Sequence, residues 1–191
     1  MIQETIVTTV SAAGLAHIAP MGVHVRADSL LILPFRPSTT LDNLLATGHA
    51  VLNHTDDVRV FAGCLTGRRD WPLLPAERIS GLRLAQTLTH TELALERFEN
   101  DPVRPRCHCR VLHQVTHGPF AGFNRAQFAV LEAAILASRL DRLSRTKIDA
   151  ELEYLRIGLE KCAGPREREA WAWLMERIDG HYAAATGEAP A

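Results

Sequence analysis

Apolar residues recur along this chain in two rhythms, and the rhythm changes once. From Ile2 to about His117 they come in short runs broken by turn signals. From Asn124 onward they recur three or four residues apart: Phe128, Leu131 and Ile135, then Ile148, Leu152, Leu155 and Leu159, then Trp171, Leu174 and Ile178. A period of two fits a pleated strand and a period near 3.6 fits a helix, so one segment cannot satisfy both. The chain therefore reads as α+β, with an antiparallel β domain over 1–123, a helical region of about three helices over 124–182, and a flexible tail over 183–191. Nothing alternates in the manner of parallel βαβ units.

Within the first region, strands are expected over 4–11, 15–20, 22–27, 30–35, 50–54, 58–65, 92–98 and 106–116, with a turn at Asp28-Ser29 and a short helix closed by Gly48. Many short strands with frequent turns suggest a barrel or sandwich. In the second region Asn124 can cap a helix, with Gln127 three residues later. Gly164 suits a left-handed helix end, and Pro165 the first turn of the next helix. Each helix carries one apolar stripe that must be buried, so the helical region is expected to dock on the β domain.

With 47% hydrophobic residues, the 191-residue chain can bury a real core. Lys and Arg number 21 against 22 Asp and Glu, and neither region is a basic arm, which argues against nucleic-acid binding. No apolar run approaches the roughly 20 residues that span a bilayer, and the N-terminus has no secretory pattern, so a cytoplasmic setting is expected. The four cysteines are too few and scattered for a disulfide scaffold. Cys107 and Cys109, with His113 nearby, offer too few converging ligands for zinc and read as buried strand thiols, so no metal is expected.

One stretch, PFRPSTTLDNLLATGHAVLN (34–53), carries chemistry. Thr39 or Thr40 can cap a helix of about eight residues. A helix start presents unpaired N–H groups and a partial positive charge. Arg36 adds a planar fork, and Ser38, Thr39 and Thr40 add short hydroxyls, so the group reads as a cup for one terminal phosphate. In HIAPMGVHV (17–25), Ala19, Pro20, Met21 and Gly22 fall at a strand break where a flat ring could lie against the main chain.

The segments ETIVTTVSAAGLAHIAPMGVHV, LPFRPSTTLDNLLATGHAVLNHTDDVRVFAGCLTG and GFNRAQFAVLEAAILASRL resemble domain-of-unknown-function family 447, in which an FMN-binding split barrel of the flavin-reductase type carries a helical C-terminal region. The resemblance implies FMN as cofactor, a homodimer, and a small-molecule redox partner. It implies phosphate contact at Arg36, Ser38, Thr39, Thr40 and Asn43, with Phe35 beside them. Ring contact is implied along Ala19, Pro20, Met21 and Gly22, with Asn53 as a polar neighbour. Arg68, Arg69 and Trp71, and Phe123 with Asn124, are candidates for substrate contact. No catalytic side chain is required, because FMN carries the redox chemistry. The alternatives are a non-catalytic flavin carrier or sensor, and a barrel holding another phosphate-bearing ligand such as a pterin-pathway intermediate.

Overall fold

The computed structural model describes residues 1–26 and 29–186; the expected turn residue Asp28 lies outside the described residues. The chain forms two units, one from residues 1–56 and 70–120, the other from 57–69 and 121–191.

The first unit is a closed six-stranded antiparallel barrel. Its strands are β1 (Ile2–Val10), β2 (Ala16–Val25), β3 (Leu30–Ile32), β4 (His49–His54), β7 (Thr89–Glu99) and β8 (Arg106–Thr116), in the order β1-β2-β3-β8-β7-β4. Helix α1 (Thr39–Thr47) links β3 to β4, and a small hairpin, β5 (Leu73–Pro75) with β6 (Leu82–Leu84), precedes β7. The interior holds Val7, Val23, Ile32, Leu52, Leu93, Cys107 and Cys109, joined by Leu41 and Leu44 of α1. β1 is buried from Thr5 to Thr9, on both faces. One face meets α1, where Asn43 Nδ2 donates to Thr9 Oγ1 at 3.1 Å. The other meets the hairpin: Thr8 Oγ1 donates to Leu82 O at 2.5 Å, and Asn53 Oδ1 accepts from Leu84 N at 2.7 Å.

Three expectations change here. β2 is unbroken, with nine residue pairs to β1 running through Pro20 opposite Ile6. Proline is tolerated because, among the described residues, β2 pairs with β3 only at His24 and Val25, which leaves the rest of that β2 edge without a ladder to interrupt. Gly22 serves cross-strand packing: a Cβ there would lie 3.0 Å from Ile2 Cγ2 and 3.1 Å from Glu4 Oε1. His113 does not share the inward face of Cys107 and Cys109: an extra residue on β8 at the register shift between Glu92 and Leu93 sets it opposite Glu92, while Val111 stays opposite Leu93.

The second unit is helical: α2 (Arg59–Leu65), α3 (Arg125–Ala137), α4 (Arg145–Cys162) and α5 (Pro165–Thr186). The segment expected as a strand at 58–65 is α2. Its β-branched residues favour a strand, but Val58, Ala62 and Leu65 recur at helical spacing and pack with Ala126, Val130, Leu155, Leu174 and Ile178. Asp57 closes its start by accepting from Arg59 N. Asn124 and Ser144 cap α3 and α4 as their residue types suggest. Alanines at 126, 129, 133, 134 and 137 keep α3 thin, and Gly158 of α4 sits where a Cβ would be 3.2 Å from Arg125 O. Gly164 is not left-handed. Its N–H is taken by Glu167 Oε2 at 2.9 Å, a carboxylate reaching back from the first turn of α5. The expected tail from residue 183 begins inside α5, which continues to Thr186.

Candidate functional site at the start of helix α1

The helix cap is Ser38, one residue earlier than expected. Its backbone is extended, at φ −155° and ψ 120°, and its Oγ accepts from Leu41 N at 3.3 Å. Ser38 O takes the N–H of Asp42. Thr39 and Thr40 follow as the first helical residues, and their N–H groups are the remaining donors of the first turn. Gly48 ends the helix in the left-handed region, at φ 74°, with its N–H on Leu44 O.

Thr40 is 1% exposed, and its Oγ1 has no hydrogen-bond partner among the described residues. A buried hydroxyl left unpaired is costly, so it marks a place where a further group is wanted. Arg36, joined to Pro37 by a cis peptide bond, is exposed at the approach to the helix. Its Nη2 donates to Asn100 Oδ1 at 2.8 Å, and its charge reaches the thiol of Cys107. Burial still dominates at that thiol and pushes it up to about 11.

A second arginine joins this place, unseen in the sequence because it is distant along the chain. The loop 100–105 folds over the strand-to-helix handover, with Arg36 N on Val103 O and Arg104 Nε on Leu33 O. Arg104 stacks over Phe35, its guanidinium carbon 4.8 Å from the ring centroid, while Phe35 stays 52% exposed. Asp101 shapes the loop by accepting from Arg104 N and Val103 N, which holds its carboxyl below the ordinary range. Local contacts alone gave no signal for Arg104; the pairing of the loop with Arg36 is what brings it in.

The other expected residues are placed as follows. Ala19, Pro20, Met21 and Gly22 are half-buried in the middle of β2. Met21 packs against the barrel core, and its carbonyl accepts from Thr5 Oγ1. Asn43 and Asn53 are buried with their amides engaged: Asn43 on Thr9, and Asn53 donating to Ile6 O and Thr8 Oγ1. Both join secondary-structure elements. Arg68 lies in the helical unit, paired with Glu176 Oε2 at 3.0 Å and stacked 4.9 Å from the Trp173 ring. Arg69 Nη2 donates to Cys64 O. Trp71 belongs to the barrel unit and is half-buried. Asn124 caps α3 and its Nδ2 donates to Cys162 O, while Phe123 is fully exposed. Cys107 and Cys109 are buried, and burial holds the Cys109 thiol up at about 12, so both are protonated at neutral pH.

The closed six-stranded antiparallel barrel has the fold of the flavin-reductase-like split barrels, and solved structures share it. Over 92% of this chain and 94% of the other, the FMN-bound DUF447 protein of Methanosarcina mazei superposes with a TM-score of 0.78 at 18% identity. The 2-nitrobenzoate 2-nitroreductase of Pseudomonas fluorescens matches 60% of this chain and 64% of its own, with a TM-score of 0.53 at 16% identity. Nitrilotriacetate monooxygenase component B of Bacillus cereus matches 61% and 70%, with 0.52 at 18%. No curated protein matches the sequence. Residues 3–118 match the family described as protein of unknown function (DUF447) N-terminal domain, and residues 124–176 match the accompanying DUF447 C-terminal region. The chain belongs to the DUF447 family.

Proposed function

We propose that this protein is an FMN-binding flavoprotein, with the phosphate of FMN at the start of α1. The observation that carries the reading is Thr40 Oγ1, buried and without a partner in the first turn of a nine-residue helix. The surrounding residues fit a phosphate. The N–H groups of Thr39 and Thr40 and the Thr40 hydroxyl supply short donors, and Arg36 and Arg104 supply charge. Asp42, the acidic residue of that first turn, is exposed. Small residues Ala19 and Gly22 offer the β2 main chain to a flat ring. The FMN-bound relative of the same family supports the choice of cofactor.

FMN, when bound, supplies hydride and electron transfer, and the protein contributes binding, orientation and electrostatics. The reaction class is an oxidoreduction with a small redox partner such as a reduced nicotinamide. A two-fold homodimer completes the proposal, supported by the exposed aromatic rings of Phe35, Phe123 and Phe128. Among the described residues no helix is long and apolar enough to cross a membrane.

Mass spectrometry of ligand released from the purified protein tests the cofactor, with FMN the expected mass. Anaerobic addition of NADH or NADPH tests the reaction class through bleaching of the flavin band. A flavin that no donor bleaches would favour a carrier. A different phosphate ester would displace FMN from the proposal.

A further inference from the structure

A buried chain of titratable side chains lies in the barrel unit, apart from α1. Glu92 of β7 is fully buried and its carboxylate accepts three backbone N–H groups, from Glu77 at 2.6 Å, Arg78 at 2.9 Å and Ile79 at 3.0 Å. His90, also fully buried, places Nε2 3.2 Å from Glu92 Oε1 and Nδ1 2.8 Å from His117 Nε2. His117 is at the exposed end of the chain.

For singly protonated rings the contacts fix both tautomers. A carboxylate only accepts, so His90 Nε2 carries hydrogen and donates to it. Neutral His90 then has a lone pair at Nδ1, and His117 Nε2 must be the donor. That leaves the lone pair of His117 at Nδ1, on the side of the ring away from the chain. The arrangement is a base oriented by a second group that is oriented in turn by a third.

A second observation points to a ligand. Arg83 of β6 spends Nη1 on Leu84 O and Ala85 O, but its buried Nε has no partner among the described residues. The charge of Arg83 is felt at His117. We propose that His117 and Arg83 form a proton-accepting site for a weakly acidic small molecule, one bearing an O–H or N–H whose conjugate anion the guanidinium holds.

The step balances without an oxidant. The ligand's X–H bond breaks and an N–H bond forms at His117 Nδ1. The Nε2 proton of His117 passes to His90 Nδ1. Cationic His90 then faces anionic Glu92, and the ligand anion stays with Arg83. Two proton transfers relay one unit of positive charge from the ligand to His90, and no electrons have changed hands. The other titratable neighbours are Glu77, whose Oε2 holds His113 Nε2 at 3.1 Å, and His113 itself, edge-on to His90 at 6.2 Å. Desolvation, then Arg83 and His90, hold His117 below its ordinary range, with Glu77 opposing, so the base is free at neutral pH.

Nitrogen-15 NMR of the histidine rings in the full-length protein reads tautomer and titration together. His117 should show the Nε2–H tautomer, and its midpoint should fall by about half a unit in Glu92→Gln, which removes the anion behind the chain. Arg83→Gln should raise the same midpoint, and it leaves the Glu92 contacts in place should Glu92→Gln disturb the hairpin. Difference spectra with 4-nitrophenol, taken below the pH at which the free probe ionises, should show the phenolate band with wild type and lose it in His117→Gln. FMN content of His117→Gln should stay at the wild-type level, which separates this site from the one at α1. An Nδ1–H tautomer, a midpoint unmoved in both variants, or a probe signal indifferent to His117→Gln would each overturn the proposal.

Discussion

The two units bury different chemistry. In the helical unit the core is alanine, leucine, isoleucine and valine with Trp171, and among the described residues only Asp57 and Glu167 are polar residues buried there. In the barrel, Thr5, Thr8, Thr9, Thr40, Asn43, Asn53, Thr87, His90, Thr91 and Glu92 are all buried. Most of these tie one element to another, as Asn53 does for β1, β4 and β6. An apolar core is tolerant: it needs volume and pattern. A buried polar network must be satisfied group by group, and each member carries a larger penalty for error. The barrel is therefore the unit in which an unpaired group, such as Thr40 Oγ1, is informative.

The largest test of this contrast is removal of residues 124–191. That deletion takes from α2 the partners of Val58 and Ala62, the ion pair of Arg59 with Glu169, and that of Arg68 with Glu176. The truncated chain should bind a hydrophobic dye and aggregate in light scattering. A soluble, dye-silent 1–123 fragment would break the view that α2 belongs to the helical core.

What the sequence made legible follows the same division. The helices after Asn124 were readable from period and caps, because an apolar stripe and a capping side chain are local signals. Helix α2 was not, since its packing against α3 and α5 decides its state against the strand preference of its β-branched residues. The alternation of β7 and β8 was readable, but not the register shift that sets His113 opposite Glu92. At the candidate site, the cluster of Arg36 with three hydroxyls pointed at the start of α1. The cap fell on Ser38 because the choice between adjacent hydroxyls is set by backbone angle. Asn43 and Asn53 looked like ligand contacts, yet their amides are engaged by backbone and side chains 34 to 47 residues away. Arg104 and the His90–Glu92 pairing with the 77–79 loop depend on contacts that no local pattern announces.

A single-residue comparison sharpens the contrast. Leu174→Ala, at a fully buried position of α5, should cost about 2–5 kcal/mol in urea unfolding, the sum of lost transfer energy and a cavity. Asn53→Ala should cost about 1–3 kcal/mol for each group left unpaired, among Leu84 N, Ile6 O and Thr8 Oγ1. Hydrogen exchange distinguishes them: the second variant should lose protection in the β5–β6 hairpin, and the first should not. Equal loss in both would make the units one cooperative body.

Two substitutions at α1 separate binding from stability. Arg36→Ala should weaken FMN by about 1.5–3 kcal/mol, as for a hydrogen bond to a charged group. Thr40→Val keeps the shape and removes the unpaired hydroxyl. It should leave the unfolding midpoint unchanged or raise it, while FMN affinity falls by about 0.5–1.5 kcal/mol. A Thr40→Val protein that is destabilised but binds FMN normally would show the hydroxyl serving the fold.

The smallest expected effect is on pH, and it should be confined to the barrel. Burial pushes Glu92 up, but the N–H groups of Glu77 and Arg78 and the neighbouring His90 outweigh it and hold the carboxyl below its ordinary range. Desolvation lowers His54, with a backbone contact to Thr89 opposing. Both folded-state values lie below their unfolded ones, so the unfolded chain binds more protons on acidification. The His54 contribution is complete above about pH 6.5, the unfolded histidine value, and declines as pH falls through the folded value. The Glu92 contribution is complete above about pH 4.3, the unfolded glutamate value, and declines below it. Stability should thus fall in two stages on the acid side and change little between pH 7 and 8. Glu92→Gln should shrink the lower stage, to which Asp101 also contributes, and leave the upper, and His54→Phe should shrink the upper, to which His117 also contributes, and leave the lower. Hydrogen exchange followed across that range should show the barrel losing protection at a higher pH than α3, α4 and α5. Loss of protection first in the helices would mean that the acid-sensitive groups lie among Asp57, Glu167 and their partners.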